Sequence, residues 1–416
     1  MRSGQFLLQP LVAAMAIAYS TTTLAVETPP HALTAIVATA QTGNDANGLI
    51  VRADPKQPIQ PIPASDGADY FQSIVGFSAV NSGAGTNGDV TFRGMFGSCI
   101  KILTDGTENL GACPSRMDSP TSYISPESYD RISVIKGPQT VQYANTGSAA
   151  TVIFERRTED FSQDQNYHGQ ASVVVGSYGR LDQNIEAAVG DEQKYIRLNT
   201  SRSVSDSYQD GDGNTVPSDW ERWNTDIALG WTPNADTWVE LTGGKADGEA
   251  VYAGRAMDGS KFARESLGLR VEKKNVSDVI KKIEAQVNYN FNDHVMDNYS
   301  LRKPPMMQMA TNVARKTLNA RLAMTQEWDN IDLITGIDTQ NNEHSIRKTD
   351  AMQGIAYQDQ PRMTDMKFQS FGGFGELTYH FDDENRLVSG VRIDQVEVKD
   401  QRNVTASLDK QREHTL

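Results

Sequence analysis

The pattern of hydrophobic and polar positions changes character along the chain, and its longest part predicts β-structure. From about residue 159 onward, apolar and polar residues alternate with the period of two that a β-strand requires. Short polar turns separate these segments. The predicted strands cover residues 171–178, 184–189, 195–199, 225–231, 238–242, 283–291, 318–328, 332–339, 368–381 and 387–396.

The connections between these strands indicate what kind of β-structure they form. Short turns such as 233–236 alternate with long polar loops such as 205–221, and aromatic residues lie near several strand ends. This asymmetry is typical of an antiparallel transmembrane β-barrel, with a soluble β-sandwich as the alternative. A mean hydropathy of −0.50 does not oppose a barrel, because alternation dilutes the apolar signal. The net charge of −14 disfavours nucleic-acid binding, which usually needs a basic face.

Residues 64–158 have a different texture, which predicts a small α+β domain. A short helix is expected at 69–75, and strands are expected at 90–95, 100–103 and 132–135. The last of these strands ends at the Gly137-Pro138 breaker.

The N-terminus predicts secretion. Arg2 followed by an apolar run and by the small residues near Ala25 is typical of a signal peptide, covering residues 1–25. Residues 26–63 then form a Pro-, Thr- and Ala-rich leader, in which 33–40 is a β-prone segment suited to adding a strand to a partner's sheet. Secretion into an oxidising compartment makes a disulfide between the two cysteines, Cys99 and Cys113, a real alternative to any metal role.

Residues 125–143 carry a specific resemblance. The segment SPESYDRISVIKGPQTVQY is similar to the plug-domain signature of TonB-dependent receptors, and Val90–Gly94 and Ile74–Phe77 resemble two earlier plug motifs in the same order. The resemblance implies an α+β plug domain (64–158), followed by antiparallel transmembrane β-barrel strands (159–416). It implies as partners the TonB energy-transducing complex and outer-membrane lipid, in the bacterial outer membrane. It places the TonB box at Leu33, Thr34, Ala35, Ile36, Val37, Ala38 and Thr39.

Two further segments resemble the copper-receptor branch of this family. Residues 111–118 contain Cys113 and Met117 in a Cys-x-x-x-Met arrangement, and His294-Val295-Met296 matches the branch's His-x-Met motif. The resemblance places Cys113 and Met117 on the outward face of the plug, with His294 and Met296 on the facing wall, in a loop after the strand that ends near 291. A thiolate, two thioethers and an imidazole form a soft ligand set, which favours copper, Cu(I) above all and Cu(II) as the second choice.

Other interpretations of these residues remain open at this stage. Met117 could be ordinary core packing. Met306, Met307 and Met309 could form an outer capture site or simply an apolar loop. His168, His344 and His380 lack partners at metal-ligand spacing. On the level of function, the alternatives are a receptor for a siderophore or metal chelate, and a secreted copper-binding fragment that never inserts.

No enzyme motif is present, and the length predicts an incomplete barrel. The chain lacks a nucleophile elbow, a Walker loop and a zinc-protease helix motif, and Asp130 and Arg131 are best explained as a structural ion pair. The strand-rich region holds roughly half of the about 22 strands that plugged outer-membrane transporters contain. We therefore expect a truncated, partial 22-stranded plugged barrel.

Overall fold

The computed structural model describes residues 50–57, 64, 66–80, 88–137, 139–143, 147–383, 385–402 and 411–415. All of them belong to one compact unit, Ala40–Leu416. The predicted signal peptide and the predicted TonB box at 33–39 lie outside the described residues. Among the described residues there is no α-helix with the length and apolar character needed to cross a membrane.

The first part of the described chain, which we call the N-terminal module (residues 50–156), combines two small sheets with one short helix. In the larger sheet the strand order is β1-β7-β8-β5-β6, with β5 and β8 parallel and the other pairs antiparallel; β2, β3 and β4 form the second sheet. The elements are β1 (Ile50–Ala53), α1 (Gly67–Phe71), β2 (Phe77–Val80), β3 (Asp89–Phe92), β4 (Met95–Phe96), β5 (Ile100–Thr104), β6 (Thr107–Glu108), β7 (Arg131–Lys136) and β8 (Ala150–Glu155).

An aromatic core holds the module together. Phe71 on α1 stacks on Phe77 with ring centroids 5.2 Å apart, and it meets Phe154 of β8 edge to face at 5.6 Å. Asp66 caps α1 by accepting a hydrogen bond from the Asp69 amide at 2.9 Å, which satisfies one of the free amides at the helix start. Packing of this kind fixes the two sheets against the helix.

β1, β2, β6 and β8 were not predicted from the sequence, and the predicted strand at 90–95 is divided into β3 and β4 by a turn at residues 93–94. β1 lies within the predicted leader and pairs with β7, Ile50 opposite Ile135. β8 has no period-two pattern because it is buried on both faces, as strands with a parallel neighbour usually are. Period-two alternation therefore did not identify it.

The remainder of the chain forms one twelve-stranded sheet, which we call the wall. Its strands follow chain order from β9 to β22, apart from the small β12–β13 hairpin, and every neighbouring pair in the wall is antiparallel. The strands are β9 (Tyr167–Val175), β10 (Leu181–Gly190), β11 (Lys194–Ser205), β12 (Tyr208–Gln209), β13 (Thr215–Val216), β14 (Trp220–Asn234), β15 (Thr237–Ala250), β16 (Asp258–Lys274), β17 (Ile280–Asp297), β18 (Ala310–Trp328), β19 (Ile331–Lys348), β20 (Met363–His380), β21 (Arg386–Asp400) and β22 (Gln411–Thr415).

The polarity of the wall is the reverse of that in a soluble sheet. On β11, Ile196 is 52% exposed, whereas Arg197 and Asn199 of the opposite face are only 2% and 3% exposed. The same inversion recurs on β14, where Leu229 points outward, and on β16 with Leu269. An outward apolar face and an inward polar face are the pattern of a transmembrane barrel wall. This confirms the barrel-type prediction over the soluble sandwich.

The loops of the wall have the predicted asymmetry. Short turns at 235–236 and 329–330 lie at one end, and long loops at 298–309 and 349–362 lie at the other. Long loops are the extracellular ones in such barrels. Every predicted strand of the wall is present. β16 was not predicted, because Lys261, Arg264 and Glu265 interrupt its apolar alternation, and β22 was not predicted, because residues 411–415 are polar throughout.

The N-terminal module contacts the wall mainly through charged and polar groups. Asp226 of β14 binds Arg156 of the module at 3.2 Å and Arg264 of β16 at 2.8 Å. Lys56 of the module bridges Asp130 at 2.5 Å and Glu186 of β10 at 2.8 Å. Buried charges of opposite sign are thus paired across the interface.

The prediction of an ion pair between Asp130 and Arg131 is wrong, because each side chain binds a different residue. Asp130 binds Lys56, whereas Arg131 binds Glu155 at 2.8 Å. Neighbouring residues on a strand point to opposite faces, so the two side chains meet different partners.

The inward face of β17 carries a row of asparagine amides that donate hydrogen bonds to the module. Asn288 donates to Thr107 at 2.5 Å, and Asn292 donates to the Leu110 carbonyl. Further along the same face, Glu284 lines a cavity of about 400 Å³ between module and wall. One wall strand thereby spans from the cavity to the long-loop end.

We expect a charge on the outward face of the wall to impair membrane integration. Leu229→Lys places an ammonium group where the wall meets lipid, which costs roughly 1–4 kcal/mol depending on depth. The measurement is the amount of chain recovered in outer-membrane fractions. Asp212→Lys, in the exposed loop between β12 and β13, serves as the control and should leave recovery unchanged. Equal recovery of both variants would contradict the assignment of this face.

Candidate metal centre

The loop between β6 and β7, residues 111–118, carries the first two predicted ligands; we call it the site loop. A turn closes it, since the Arg116 amide donates to the Cys113 carbonyl at 2.9 Å. Arg116 has a positive φ of 53°, and its guanidinium binds Asp89 of β3 with Nη2 2.7 Å from Oδ1. The turn directs the chain back on itself, so that Cys113 and Met117 are both buried in one cluster.

A single carboxylate sets the shape of the site loop. Asp118 is fully buried and accepts hydrogen bonds from the Ala112 amide at 2.6 Å, from the Cys113 amide at 2.7 Å and from the Tyr123 hydroxyl at 2.7 Å. Gly111 permits this closeness, because a Cβ there would lie 1.9 Å from the Asp118 carbonyl oxygen. The loop is therefore held in shape by the protein's own groups.

The second pair of predicted ligands lies on a strand and not in a loop as predicted. His294 and Met296 lie near the long-loop end of β17 and pair with β16, where His294 lies opposite Phe262 and Met296 opposite Gly259. The strand continues past Phe291 because Asp293 finds charged partners in Lys261 and Arg362. Residues two apart on a strand share a face, so both side chains point to the same side of the wall.

The hydrogen bonding of His294 leaves one ring nitrogen available. Nδ1 donates to the Lys261 carbonyl at 2.8 Å, which fixes the tautomer with the proton on Nδ1. Nε2 is buried and has no hydrogen-bond partner among the described residues. A metal-binding histidine characteristically donates its other nitrogen to a carbonyl in this way.

The two pairs of predicted ligands meet in a small apolar cluster between module and wall. The Cys113 Sγ lies 3.8 Å from the Met296 Sδ. Met117 is buried in the same cluster, and the His294 ring packs on Phe262 of that cluster with centroids 4.5 Å apart. Four side chains from sequence positions far apart are thus brought together at the long-loop end of β17.

A metal site formed by these four side chains depends on its two methionines. Across the described residues, no three His, Cys, Asp or Glu side chains lie close enough to hold a metal by themselves. Burial, with the Asp118 charge as the smaller cause, raises the pKa of the Cys113 thiol. The thiol therefore keeps its proton in the metal-free protein, and binding of a metal would displace it.

The alternative disulfide is absent, since both cysteines are free in the structure. Cys99 packs against the aromatic core of the module, and Cys113 lies in the separate cluster at the wall. Burial of Met117 agrees with packing as well as with a ligand role.

Three exposed methionines and two further histidines lie away from this cluster. Met306, Met307 and Met309 are exposed in the loop between β17 and β18. His168 binds Glu159 and His380 binds Asp332, with Nε2 as the bonding nitrogen in each.

Sequence reasoning missed two groups that shape the centre. Asp118 could have been suspected as the polar residue that ends the Cys-x-x-x-Met segment. His344, whose Nε2 lies 2.7 Å from the Ala112 carbonyl oxygen, left no local signal, because its partner is 232 residues away.

Comparison with known proteins agrees with the architecture. Residues 51–151 match the model of the TonB-dependent Receptor Plug Domain, and residues 199–415 match that of the TonB dependent receptor-like beta-barrel. A comparison with curated proteins found no match.

Among solved structures, the chain is similar to the copper transporter OprC, with 48% identity and a TM-score of 0.83, covering 88% of this chain and 59% of that one. It shares its fold with the FrpB iron transporter of Neisseria meningitidis at 14% identity and a TM-score of 0.68, covering 88% and 60%. The ferripyoverdine receptor of the Pseudomonas aeruginosa outer membrane matches at 13% identity and a TM-score of 0.63, covering 88% and 53%. The chain thus spans three fifths or less of the length of these relatives.

Removal of the Asp118 carboxylate should open the site loop. Asp118→Ala leaves two buried amides without an acceptor, and each hydrogen bond to a charged group is worth about 1.5–3 kcal/mol. We expect tryptic cleavage after Arg116 to become at least about tenfold faster, measured by mass spectrometry of the released fragment. Asp212→Ala, in an exposed loop, is the control. Unchanged cleavage would mean that Asp118 does not set the loop's shape.

Proposed function

The chain belongs to the TonB-dependent receptor family, and we propose that it binds copper at the extracellular side of the outer membrane and imports it into the periplasm. The protein is placed in the outer membrane by its family, and the outward apolar face of the wall fits that location. Copper is here the cargo of the protein.

The observation that carries this proposal is the meeting of Cys113, Met117, His294 and Met296 in one apolar cluster. Thiolate, thioether and imidazole are ligands that prefer Cu(I), whereas hard cations prefer oxygen. The available Nε2 of His294 and the Cys113–Met296 sulfur contact of 3.8 Å fit a small ion bound between module and wall. We propose Cu(I) as the favoured state, because the set includes two thioethers and no carboxylate.

The similarity to a copper transporter supports the same assignment. The 48% identity to OprC extends over 88% of this chain. The iron receptors at 13–14% identity support the fold and not the cargo.

Transport would exploit the fact that two of the proposed ligands belong to the module and two belong to the wall. Cys113 and Met117 belong to the site loop of the N-terminal module, whereas His294 and Met296 belong to the wall. We propose that the TonB energy-transducing complex pulls on the segment at 33–39 and moves the module relative to the wall. Such movement separates the two ligand pairs, and the individually weak thioether ligands allow stepwise release.

Replacement of the thiol provides the direct test of the site. In Cys113→Ala the purified chain should lose most of its bound copper, measured by elemental analysis after loading with Cu(I). Cys99→Ala is the matched control, because Cys99 is free as well but lies in the core of the module. Unchanged copper stoichiometry in Cys113→Ala would refute the proposed ligand set.

Metal preference provides a second test. Ag(I), a soft ion, should compete with Cu(I) for the site, and Zn(II) or Mg(II) in large excess should not. The readout is the copper retained after equilibrium dialysis against each competitor. Displacement of copper by Mg(II) would contradict a sulfur-dominated site.

A further inference from the structure

His344 lies on the wall beside the site loop and makes two hydrogen bonds there. Its ring is 3% exposed, and Nε2 lies 2.7 Å from the carbonyl oxygen of Ala112, the residue before Cys113. Nδ1 lies 2.5 Å from a carboxylate oxygen of Asp365. Both ring nitrogens therefore face oxygen acceptors, so each of them donates when both bonds are made.

An irregularity between β19 and β20 supplies the carboxylate. His344 pairs with Met366 and Ser345 with Thr364, so Asp365 is an extra residue without a partner in the register. A bulge of this kind redirects a side chain. Here it allows Asp365 to reach the His344 ring and hold its orientation.

The Ala112 peptide unit is consequently held from two sides. Its amide donates to Asp118 of the module, and its carbonyl accepts from His344 of the wall. Asp118 fixes the shape of the site loop, but it belongs to the same loop and does not fix the loop's position relative to the wall. The hydrogen bonds that His344 donates to the Ala112 carbonyl and Asn292 donates to the Leu110 carbonyl fix that position, because both donors belong to the wall.

We propose that His344, oriented by Asp365, is a positioning residue of the metal centre, which places the Cys113 thiol against Met296 and His294 of the wall. This inference rests on the proposed function, because one of its two readouts is the affinity for Cu(I). A residue that orients a ligand from outside the coordination sphere typically changes metal affinity by about 10–100-fold.

The same two strands contain a matched control pair. His380 of β20 binds Asp332 of β19 at 2.8 Å, at the short-turn end of the wall and far along the strands from His344. Substitution of His380 removes a histidine–aspartate bond between β19 and β20 without touching the site loop.

The experiment uses the purified full chain in a Cys99→Ser background, so that Cys113 is the single thiol. The variants are His344→Phe, which keeps a ring without donors, His344→Gln, which keeps one donor for Ala112, and His380→Phe. Cu(I) affinity is measured by competition with a chromophoric Cu(I) chelator. The rate of Cys113 alkylation by a maleimide is measured in the metal-free protein.

We expect His344→Phe to lower Cu(I) affinity by about 10–100-fold and to accelerate alkylation, with copper stoichiometry unchanged at saturation. His344→Gln should restore a large part of both properties, and His380→Phe should match the parent. If His344→Phe does not accumulate, Asp365→Asn takes its place and should shift both readouts in the same direction.

Parental affinity and alkylation rate in His344→Phe, or in Asp365→Asn where that variant is used, would overturn the positioning role. This outcome is distinguishable from failure of the copper assignment. If Cys113→Ala keeps its copper, the proposed ligand set fails whatever His344 does, and the alkylation rate of the metal-free protein still decides whether His344 holds the loop.

Discussion

The reversed polarity of the wall is the constraint on which the rest of the structure depends. Because the apolar side chains of each strand point outward, the alternate positions must carry polar groups inward, where burial without partners is costly. The N-terminal module supplies those partners. Asp226 between Arg156 and Arg264, and Lys56 between Asp130 and Glu186, are examples in which charges of both bodies neutralise each other. The module is thus attached by directional polar contacts and not by a broad apolar interface.

Within this polar interface the proposed metal centre is a local exception. Phe262, Tyr252 and Val313 surround the sulfur groups and exclude water from them. A soft ion gains most from thiolate and thioether ligands where water does not compete. The same surroundings keep the Cys113 thiol protonated, since burial raises its pKa. The centre therefore combines a dry pocket with a loop whose shape Asp118 sets in advance.

The sequence was sufficient to predict most of the wall and the proximity of the four candidate ligands, and the omissions have physical causes. Period-two alternation identifies a strand most clearly where its two faces differ in polarity, and doubly buried β8, charge-interrupted β16 and wholly polar β22 lack that contrast. His294 was expected in a loop, because Asn292 and Asp293 look like turn residues until their partners on the module and wall are known. His344 had no recognisable role for the same reason. Its role becomes visible only from its hydrogen bond to the Ala112 carbonyl, and a contact between residues so distant in sequence is created by the fold alone.

The inward row of β17 has a consequence for the direction of transport. Along this single face the donors change from the thioether of Met296 and the imidazole of His294, through the amides of Asn292, Asn290 and Asn288, to the carboxylate of Glu284 at the cavity. Softness therefore declines step by step from the outer end toward the cavity, and Cu(I) prefers soft donors. Binding of Cu(I) to this row therefore becomes less favourable from the outer end toward the cavity. Under the proposed function, the wall by itself retains the ion at its outer end, and inward passage requires work supplied from outside this protein.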